Sequence, residues 1–323
     1  MVLLLLFAAL EIGARVYISW TRGSYTAGLQ ERTIHLSYEP FVMFGPGWDQ
    51  KLAANRQPRK PGTCRILLVG GSTAAFFLSA VLEKAFSEAH GDSAFEVING
   101  AFGAYAARQE VIVATLWGPE LHPDLLMSLD GANDLTLRLR GNRAGAFFLD
   151  SAYNLYLTQP WLGPFVYLLS QSQLVNGVLR LAARGRMGPA DQYADAIAPY
   201  IDAQHSLNVL APGAGARRLM VLQPFSGFKR PHSPSEQAFD LFKYREPVMM
   251  VLLNEMADKL NALATRDQAS FLDGRFAFQR SEETVFTDDV HLTEIGYRML
   301  ASKVASHVAN ERLLEPVSCG TVQ

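Results

Sequence analysis

The sequence predicts an α/β fold built around a parallel β-sheet. Short apolar runs of strand length recur along the 323-residue chain, and a helical segment follows most of them. The runs are apolar on both faces, which is typical of strands that helices cover on each side. Strands that alternate with helices are joined by right-handed crossovers, so the sheet is expected to be parallel. With 49% hydrophobic residues, the chain can bury a large core.

Five main strands and five helices are predicted from these patterns. The strands cover residues 65–70, 95–99, 125–129, 218–223 and 269–273. The helices cover residues 73–90, 109–117, 192–210, 247–265 and 293–308. Pro199 is expected to break or kink the third helix, and Thr293 to cap the last. A further short strand is expected near residues 41–44.

The chain is expected to have four parts, which are a hydrophobic segment at 1–20, a linker or packing segment at 21–62, an α/β domain at 63–312 and a tail at 313–323. Within the domain, residues 141–214 show no clear strand and are predicted to form a helical insertion beside the sheet. Its periodic stretch, 161–183, is either a core helix or one that contacts a membrane or an acyl chain. The insertion and the polar loop at 226–236 are expected to shape a pocket.

The amino-terminal segment is strongly apolar, but Glu11 and Arg15 interrupt it before the roughly 20 residues that a membrane span requires. It is either part of a longer membrane anchor that begins upstream or an amphipathic helix docked on the domain. We expect an anchor, with the protein in the periplasm or otherwise outside the cytoplasm, held at the inner membrane. The formal charge of −2 offers no basic surface for nucleic acid.

The two cysteines, Cys64 and Cys319, lie far apart in the sequence. Cys64 precedes the first strand, and a closing helix that runs back along the sheet would bring Cys319 to the same edge. The pair either forms a disulfide in an oxidising compartment or remains as two free thiols.

The first main strand ends in the turn Gly70-Gly71-Ser72-Thr73, which the next helix follows directly. This turn lies at the carboxyl edge of the sheet, where ligands bind and where helix amino termini present unpaired N–H groups. Taken alone, the turn fits either a reactive serine or a phosphate cradle.

Three further residues are expected at the same edge. Asn133 follows the third strand, while Asp288 and His291 stand three residues apart before the last helix. A serine hydroxyl becomes a good nucleophile when a histidine accepts its proton and a carboxylate orients that histidine. The sequence therefore predicts Ser72 as nucleophile, His291 as base and Asp288 as its partner, with Asp289 as the competing carboxylate.

These turns occur in the order of the four blocks of the SGNH (GDSL-like) hydrolase superfamily, which the chain resembles across about residues 64–310. The resemblance rests on Gly70-Gly71-Ser72-Thr73, the loop 99–105, Gly131-Ala132-Asn133-Asp134, and Asp288 with His291. It implies a three-layer, flavodoxin-like α/β/α sandwich and an enzyme of the membrane-anchored or envelope type. It also implies ester hydrolysis without a metal or an organic cofactor.

The second block departs from the family pattern, because Ala104 rather than Gly103 stands where the oxyanion glycine is usual. The required donor is a backbone N–H, which either residue can supply. The expected oxyanion hole therefore combines the N–H of Ser72, that of Gly103 or Ala104, and the side-chain amide of Asn133.

The predicted function is that of a serine esterase acting on acyl esters, O-acetyl esters above all, of small molecules or of envelope or extracellular saccharides. One alternative is an O-acyltransferase of exopolysaccharide modification that uses the same triad. The other is a catalytically silent envelope scaffold or glycan-binding domain. No metal site and no nucleic-acid partner is expected, the amino terminus is expected to associate with the membrane, and the sequence leaves the oligomeric state open.

Overall fold

The structure is a computed structural model. It describes residues 6–13, 16, 37–56, 60–91, 93–148, 158–162, 172, 174–175, 188–237, 246–314 and 319. The chain divides into two compact units: the first holds Met1–His35 and Leu149–Gly188, the second Leu36–Phe148 and Pro189–Gln323.

In the first unit, residues 6–13 are helical, and the Glu11 carboxylate accepts hydrogen bonds from Ser172 Oγ (2.7 Å) and the Leu174 N–H (3.0 Å). Most of the helix predicted at 161–183, and the rest of the predicted anchor, lie outside the described residues. No helix in the described part of the chain is long and apolar enough to cross a membrane.

The second unit is built on a parallel five-stranded sheet, which confirms the predicted α/β class. A two-stranded antiparallel hairpin precedes it, formed by β1 (Ser37–Glu39) and β2 (Met43–Gly45). The sheet strands are β3 (Thr63–Gly70), β4 (Ala94–Asn99), β5 (Leu125–Asp130), β6 (Arg217–Leu222) and β7 (Ser270–Asp273). Their order is β4-β3-β5-β6-β7, and all four pairings are parallel.

Helices cover both faces of the sheet. In chain order they are α1 (Trp48–Ala53), α2 (Ser72–Ala75), α3 (Ser79–Ala89), α4 (Ala107–Leu121), α5 (Ala132–Leu139), α6 (Ile197–Gly213), α7 (Pro234–Gln237), α8 (Glu246–Asp267) and α9 (Glu294–Asn310). On one face α3 packs against α9, and on the other α6 packs between α4 and α8. The result is a three-layer sandwich whose central strands are buried on both sides.

The strands are predicted to within about two residues, but the helices differ more from expectation. The helix predicted at 192–210 begins as a 3₁₀-helix over Ala190–Ala196 and continues as α6, α4 extends to Leu121, and α5 is not predicted. The helix predicted at 73–90 is interrupted, since α2 ends at Ala75 and α3 begins at Ser79. Pro199 neither breaks nor kinks α6, because it lies in the first turn, where its missing N–H costs no hydrogen bond. Thr293 caps α9 as predicted, its hydroxyl accepting from the Gly296 N–H.

Part of the predicted insertion belongs to the sandwich. Helix α6 contacts β6 directly and forms the crossover from β5 to β6, so residues 189–214 group with the sheet and only Leu149–Gly188 fall in the other unit. The described part of the predicted linker also packs on this unit, where Trp48 is fully buried.

The tail is tied to the first strand of the sheet by a disulfide between Cys64 and Cys319. Both residues are buried, at the amino edge of the sheet. The sequence leaves open whether these cysteines form a disulfide or remain free thiols, and the structure shows the disulfide.

Candidate active site

The turn after β3 requires both of its glycines. A Cβ on Gly70 would lie 2.4 Å from the carbonyl oxygen of Leu129 on the neighbouring strand, and a Cβ on Gly71 would lie 2.3 Å from Asn133 Nδ2. The two glycines therefore let the chain pass close to β5 and α5. Ser72 follows as the first residue of α2, and its side chain is half-buried at the carboxyl edge of the sheet.

The turn before α9 is a short closed loop. Its ends pair through a bridge between Phe286 and Leu292, and the Thr287 N–H donates to the His291 carbonyl (2.8 Å). Inside the loop, Asp288 Oδ1 accepts from the N–H groups of Val290 (2.9 Å) and His291 (2.7 Å). These bonds fix the Asp288 carboxylate beside the imidazole.

Ser72, His291 and Asp288 form one continuous hydrogen-bonded chain. His291 Nε2 lies 2.7 Å from Ser72 Oγ, and His291 Nδ1 lies 2.6 Å from Asp288 Oδ2. The structure thus brings the predicted nucleophile, base and carboxylate into contact across 219 residues of sequence. Asp289 instead uses its backbone carbonyl to accept from the Ser226 N–H (2.9 Å).

The charged forms of Asp288 and His291 stabilise one another. Burial lowers the pKa of His291, but the hydrogen bond and negative charge of Asp288, helped by the charge of Asp289, outweigh burial and raise it above its ordinary value. Burial raises the pKa of Asp288, but hydrogen bonds from His291 and from the turn's N–H groups hold it below its ordinary value. Asp288 is therefore ionised at neutral pH and favours the protonated imidazole.

Asn133 lies against the nucleophile turn. It stands in the first turn of α5, and its Nδ2 donates to the Tyr105 carbonyl (2.8 Å) while packing over Gly71. Gly71 is also close to the Tyr105 carbonyl, because a Cβ at this position would lie 3.2 Å from the carbonyl oxygen. The structure thereby brings Asn133, the loop after β4 and the residue before Ser72 together.

The loop after β4 carries the two candidate N–H donors. Ala104 has φ +67°, a left-handed conformation that glycine adopts most easily. Among the described residues, the N–H groups of Gly103 and Ala104 have no hydrogen-bond acceptor. The loop is anchored on both sides, since the Phe102 N–H donates to the Gly70 carbonyl (3.1 Å) and Tyr105 Oη donates to the Phe44 carbonyl (2.7 Å).

A buried polar cluster lies beneath Asn133. Asp130, at the end of β5, accepts from Tyr200 Oη and Gln204 Nε2, both at 2.7 Å. Asp134 accepts from the Ala107 N–H at 3.2 Å. Burial, reinforced by the nearby charge of Asp130, raises the pKa of Asp134 to about 7. The hydrogen bond from the Ala107 N–H to Asp134 links the start of α4 to the start of α5.

Several residues at the site were not identified from the sequence. Asn99 Nδ2 donates to the carbonyls of Ala74 (2.9 Å) and Phe77 (3.0 Å) and so holds the end of α2. Thr73 and Gln223 are hydrogen-bonded to each other at the same edge. Gln223 could have been identified from the sequence, because it is a polar residue at the end of an apolar run that predicts a buried strand.

The loop at 226–236, which the sequence predicts to be polar and to shape a pocket, contains several buried residues. Lys229 and Glu236 form an ion pair (2.6 Å) whose side chains are 1% and 0% exposed. The other carboxylate oxygen of Glu236 accepts from the N–H groups of Val285 (2.9 Å) and Phe286 (3.1 Å). The loop is thus fastened to the chain segment that leads into the turn of Asp288 and His291.

Within the described residues, no group of three or more histidine, cysteine, aspartate or glutamate side chains is placed to hold a metal ion. Among the described residues, the site offers a hydrogen-bonded serine, histidine and aspartate beside an asparagine amide and two backbone N–H groups. This arrangement is suited to nucleophilic attack by Ser72.

The chain matches no protein-family model and no curated protein sequence. Among solved structures it is similar to an acetyl xylan esterase, AlAXEase, with a TM-score of 0.46 at 14% identity over 76% of this chain and 99% of the other. Acetylxylan esterase Axe2 from Geobacillus stearothermophilus gives 0.44 at 14% identity over 78% and 95%. A lipase/acylhydrolase from Enterococcus faecalis gives 0.45 at 14% identity over 78% and 98%. At these TM-scores and identities the similarity carries no argument about the chemistry of this chain.

Proposed function

We propose that the protein is a serine esterase of the SGNH type that hydrolyses acyl esters, O-acetyl esters above all. The observation that carries this proposal is the continuous hydrogen-bonded chain from Asp288 through His291 to Ser72. A serine with this pair of partners is activated for attack on a carbonyl carbon.

In the proposed reaction His291 Nε2 accepts the Ser72 proton as Oγ bonds to the ester carbonyl carbon, and Asp288 stabilises the imidazolium that forms. The tetrahedral intermediate then collapses and the carbon–oxygen bond to the alcohol breaks, with His291 returning the proton to the leaving oxygen. Water attacks the acyl-enzyme in the same way, which releases the carboxylic acid and restores Ser72.

The proposed oxyanion hole combines the Ser72 N–H at the start of α2, the Asn133 amide and a loop N–H. Each such donor typically lowers the barrier by about 3 kcal/mol. The left-handed backbone of Ala104 supports this residue as the counterpart of the usual glycine, and Gly103 is the other candidate. Within the part of the chain that the structure describes, neither N–H has an acceptor, which is compatible with a donor in this loop.

The proposed substrate is an O-acylated saccharide of the cell envelope or its surroundings, or a smaller acyl ester. The proposed location is outside the cytoplasm, in the periplasm or at the inner membrane, with association through the amino-terminal segment. The disulfide between Cys64 and Cys319 supports an oxidising compartment, since such bonds are rare in the reducing cytosol. The choice of a saccharide rests on the expected envelope location and on the resemblance of the four sequence blocks.

Replacement of the nucleophile tests the proposal. Ser72→Ala should reduce the release of p-nitrophenol from p-nitrophenyl acetate by at least about 10³-fold, because it removes the oxygen that attacks the ester carbonyl. A matched control is Ser206→Ala, which removes a hydroxyl that donates to the Asp202 carbonyl on α6. Undiminished turnover by Ser72→Ala in a clean preparation would refute the assignment.

Two further measurements separate the alternatives. A fluorophosphonate should label wild-type Ser72 covalently, and a folded protein that is not labelled would instead be a silent scaffold or a glycan-binding domain. Product analysis with an acetyl donor and candidate glycans should yield free acetate. An acetylated glycan would show that the same site performs transfer rather than hydrolysis.

A further inference from the structure

The hydroxyl of Thr73 joins two parts of the candidate site. Thr73 Oγ1 accepts a hydrogen bond from Gln223 Nε2 (3.2 Å) and donates one to the Val290 carbonyl (3.3 Å). The directions are fixed, because an amide NH₂ only donates and a carbonyl only accepts. Thr73 is 1% exposed and Gln223 4%, so water does not compete for these bonds.

These contacts connect three separate loops of the chain. Gln223 follows β6, and its N–H donates to the Asp130 carbonyl at the end of β5 (2.9 Å). Thr73 adjoins the nucleophile, and Val290 adjoins the base. The hydroxyl therefore links the turn of Asp288 and His291 to the nucleophile turn and, through Gln223, to the middle of the sheet.

The turn of Asp288 and His291 needs such a link. Its internal hydrogen bonds fix its shape, but they do not fix its distance from Ser72. The Ser226 N–H holds the Asp289 carbonyl on one side, and Tyr297 Oη from α9 donates to the Thr73 carbonyl (3.0 Å) on the other. The contact of the Thr73 hydroxyl is adjacent in sequence to both reacting residues, since Thr73 follows Ser72 and Val290 precedes His291.

We propose that Thr73 is a positioning residue, whose hydroxyl sets the approach of His291 Nε2 to Ser72 Oγ. The inference rests on the proposed esterase function. Its chemistry is carried by Ser72 and His291, whereas the Thr73 hydroxyl is hydrogen-bonded to Gln223 and to the Val290 carbonyl. A misplacement of about 1 Å can cost a factor on the order of 10² in rate, so a single buried hydroxyl is enough to matter.

Two variants isolate the hydroxyl. Thr73→Ser and Thr73→Ala both remove the γ-methyl group and differ only in the oxygen. The serine variant should keep kcat within about three-fold of wild type, and the alanine variant should lose on the order of 10- to 100-fold in kcat with KM changed by less than about two-fold. If the alanine variant unfolds, Thr73→Val is compared with wild type instead, because valine keeps the side-chain volume and replaces only the hydroxyl by a methyl group.

A spectroscopic measurement distinguishes positioning from folding of the turn. The proton between His291 Nδ1 and Asp288 belongs to the turn alone and gives a low-field proton resonance. This resonance should persist in Thr73→Ala, because the internal bonds of the turn remain. Loss of the resonance would show that Thr73 is needed to form the turn and would overturn the positioning role.

The remaining outcomes are equally informative. Equal kcat values for Thr73→Ser and Thr73→Ala would overturn the inference, because the hydroxyl would then have no effect. If that result accompanies an inactive Ser72→Ala, the proposed function stands and only the role of Thr73 fails. If Ser72→Ala is fully active, the proposed function itself fails.

Discussion

The pairing of Asp288 with His291 makes a residue-scale prediction about pH. Neutral imidazole is the base, so kcat/KM should rise with pH as His291 loses its proton. Since Asp288 raises the pKa of His291 above the ordinary value of about 6.5, the midpoint should lie above that value. Asp288→Asn should move the midpoint down and lower kcat by about 10²–10⁴-fold. The measurement is the pH profile of p-nitrophenyl acetate hydrolysis.

Asp289→Asn is the matched control, because it removes a carboxylate from the neighbouring position. The charge of Asp289 raises the pKa of His291 only as a lesser contribution, so its loss should shift the midpoint slightly and leave kcat near wild type. A larger loss of kcat in this variant than in Asp288→Asn would reverse the assignment of the carboxylate.

The same pairing affects stability, with opposite signs for its two members. The raised pKa of His291 contributes stability that is present below about pH 6.5 and is lost as the pH rises through the pKa of the folded state. The lowered pKa of Asp288 contributes stability that is present above about pH 4 and is lost as the pH falls through its folded value. Between those limits both contributions are present.

At the residue scale, the sequence predicts those positions whose chemistry is visible in the residue type. These positions adjoin predicted strands or helices, so their place at the carboxyl edge of the sheet can be inferred. They are Ser72, Asn133, Asp288 and His291. Thr73 could not be predicted in the same way, because threonine is common after any turn and its role depends on a contact with Val290, 217 residues away.

At the element scale, the strands were predictable because a buried parallel strand is a continuous apolar run with a turn at each end. The break between α2 and α3 was not, since the segment Phe76-Phe77-Leu78 contains neither glycine nor proline. Asn99 explains the break. It lies at the end of β4, and its side-chain amide donates hydrogen bonds to the carbonyls of Ala74 and Phe77. A tertiary contact of this kind leaves no local signal, and neither does the order of strands in the sheet.

The Lys229–Glu236 ion pair makes an element-scale prediction, because it fastens one loop to the segment before the turn of Asp288 and His291. Glu236→Gln leaves the buried Lys229 ammonium without a counter-charge and should lower the free energy of unfolding by about 3–5 kcal/mol. Glutamine keeps an oxygen for the Val285 and Phe286 N–H groups, but its NH₂ group cannot accept from the Ser233 N–H (2.8 Å in the wild type), so the loss includes that hydrogen bond as well as the charge. Urea unfolding followed by circular dichroism measures it.

The double variant Glu236→Gln with Lys229→Met supplies the control. It removes both charges and should be less destabilised than the two single variants added together. Strict additivity would mean that the two side chains do not interact and would contradict the role assigned to the pair.

At the scale of the whole molecule, the candidate site and the disulfide lie at opposite edges of the sheet. The carboxyl edge holds Ser72 and the turns that meet it, whereas the amino edge holds Cys64, bonded to the tail. Gly70 lies six positions beyond Cys64 along β3, a distance of about 20 Å in an extended strand. The disulfide is therefore far enough from the site that its effect on stability can be separated from catalysis.

The disulfide closes a loop with a sequence separation of 255 residues, and loops of this length give the largest restriction of the unfolded chain. The double variant Cys64→Ser with Cys319→Ser should lose about 3–5 kcal/mol of unfolding free energy, and wild type in reductant should match it. While the protein remains folded, kcat at low temperature should be unchanged, because the carboxyl edge keeps its contacts. An unfolding midpoint that reductant does not move would contradict the stabilising role, and a parallel loss of kcat in the folded variant would show that the two edges are coupled.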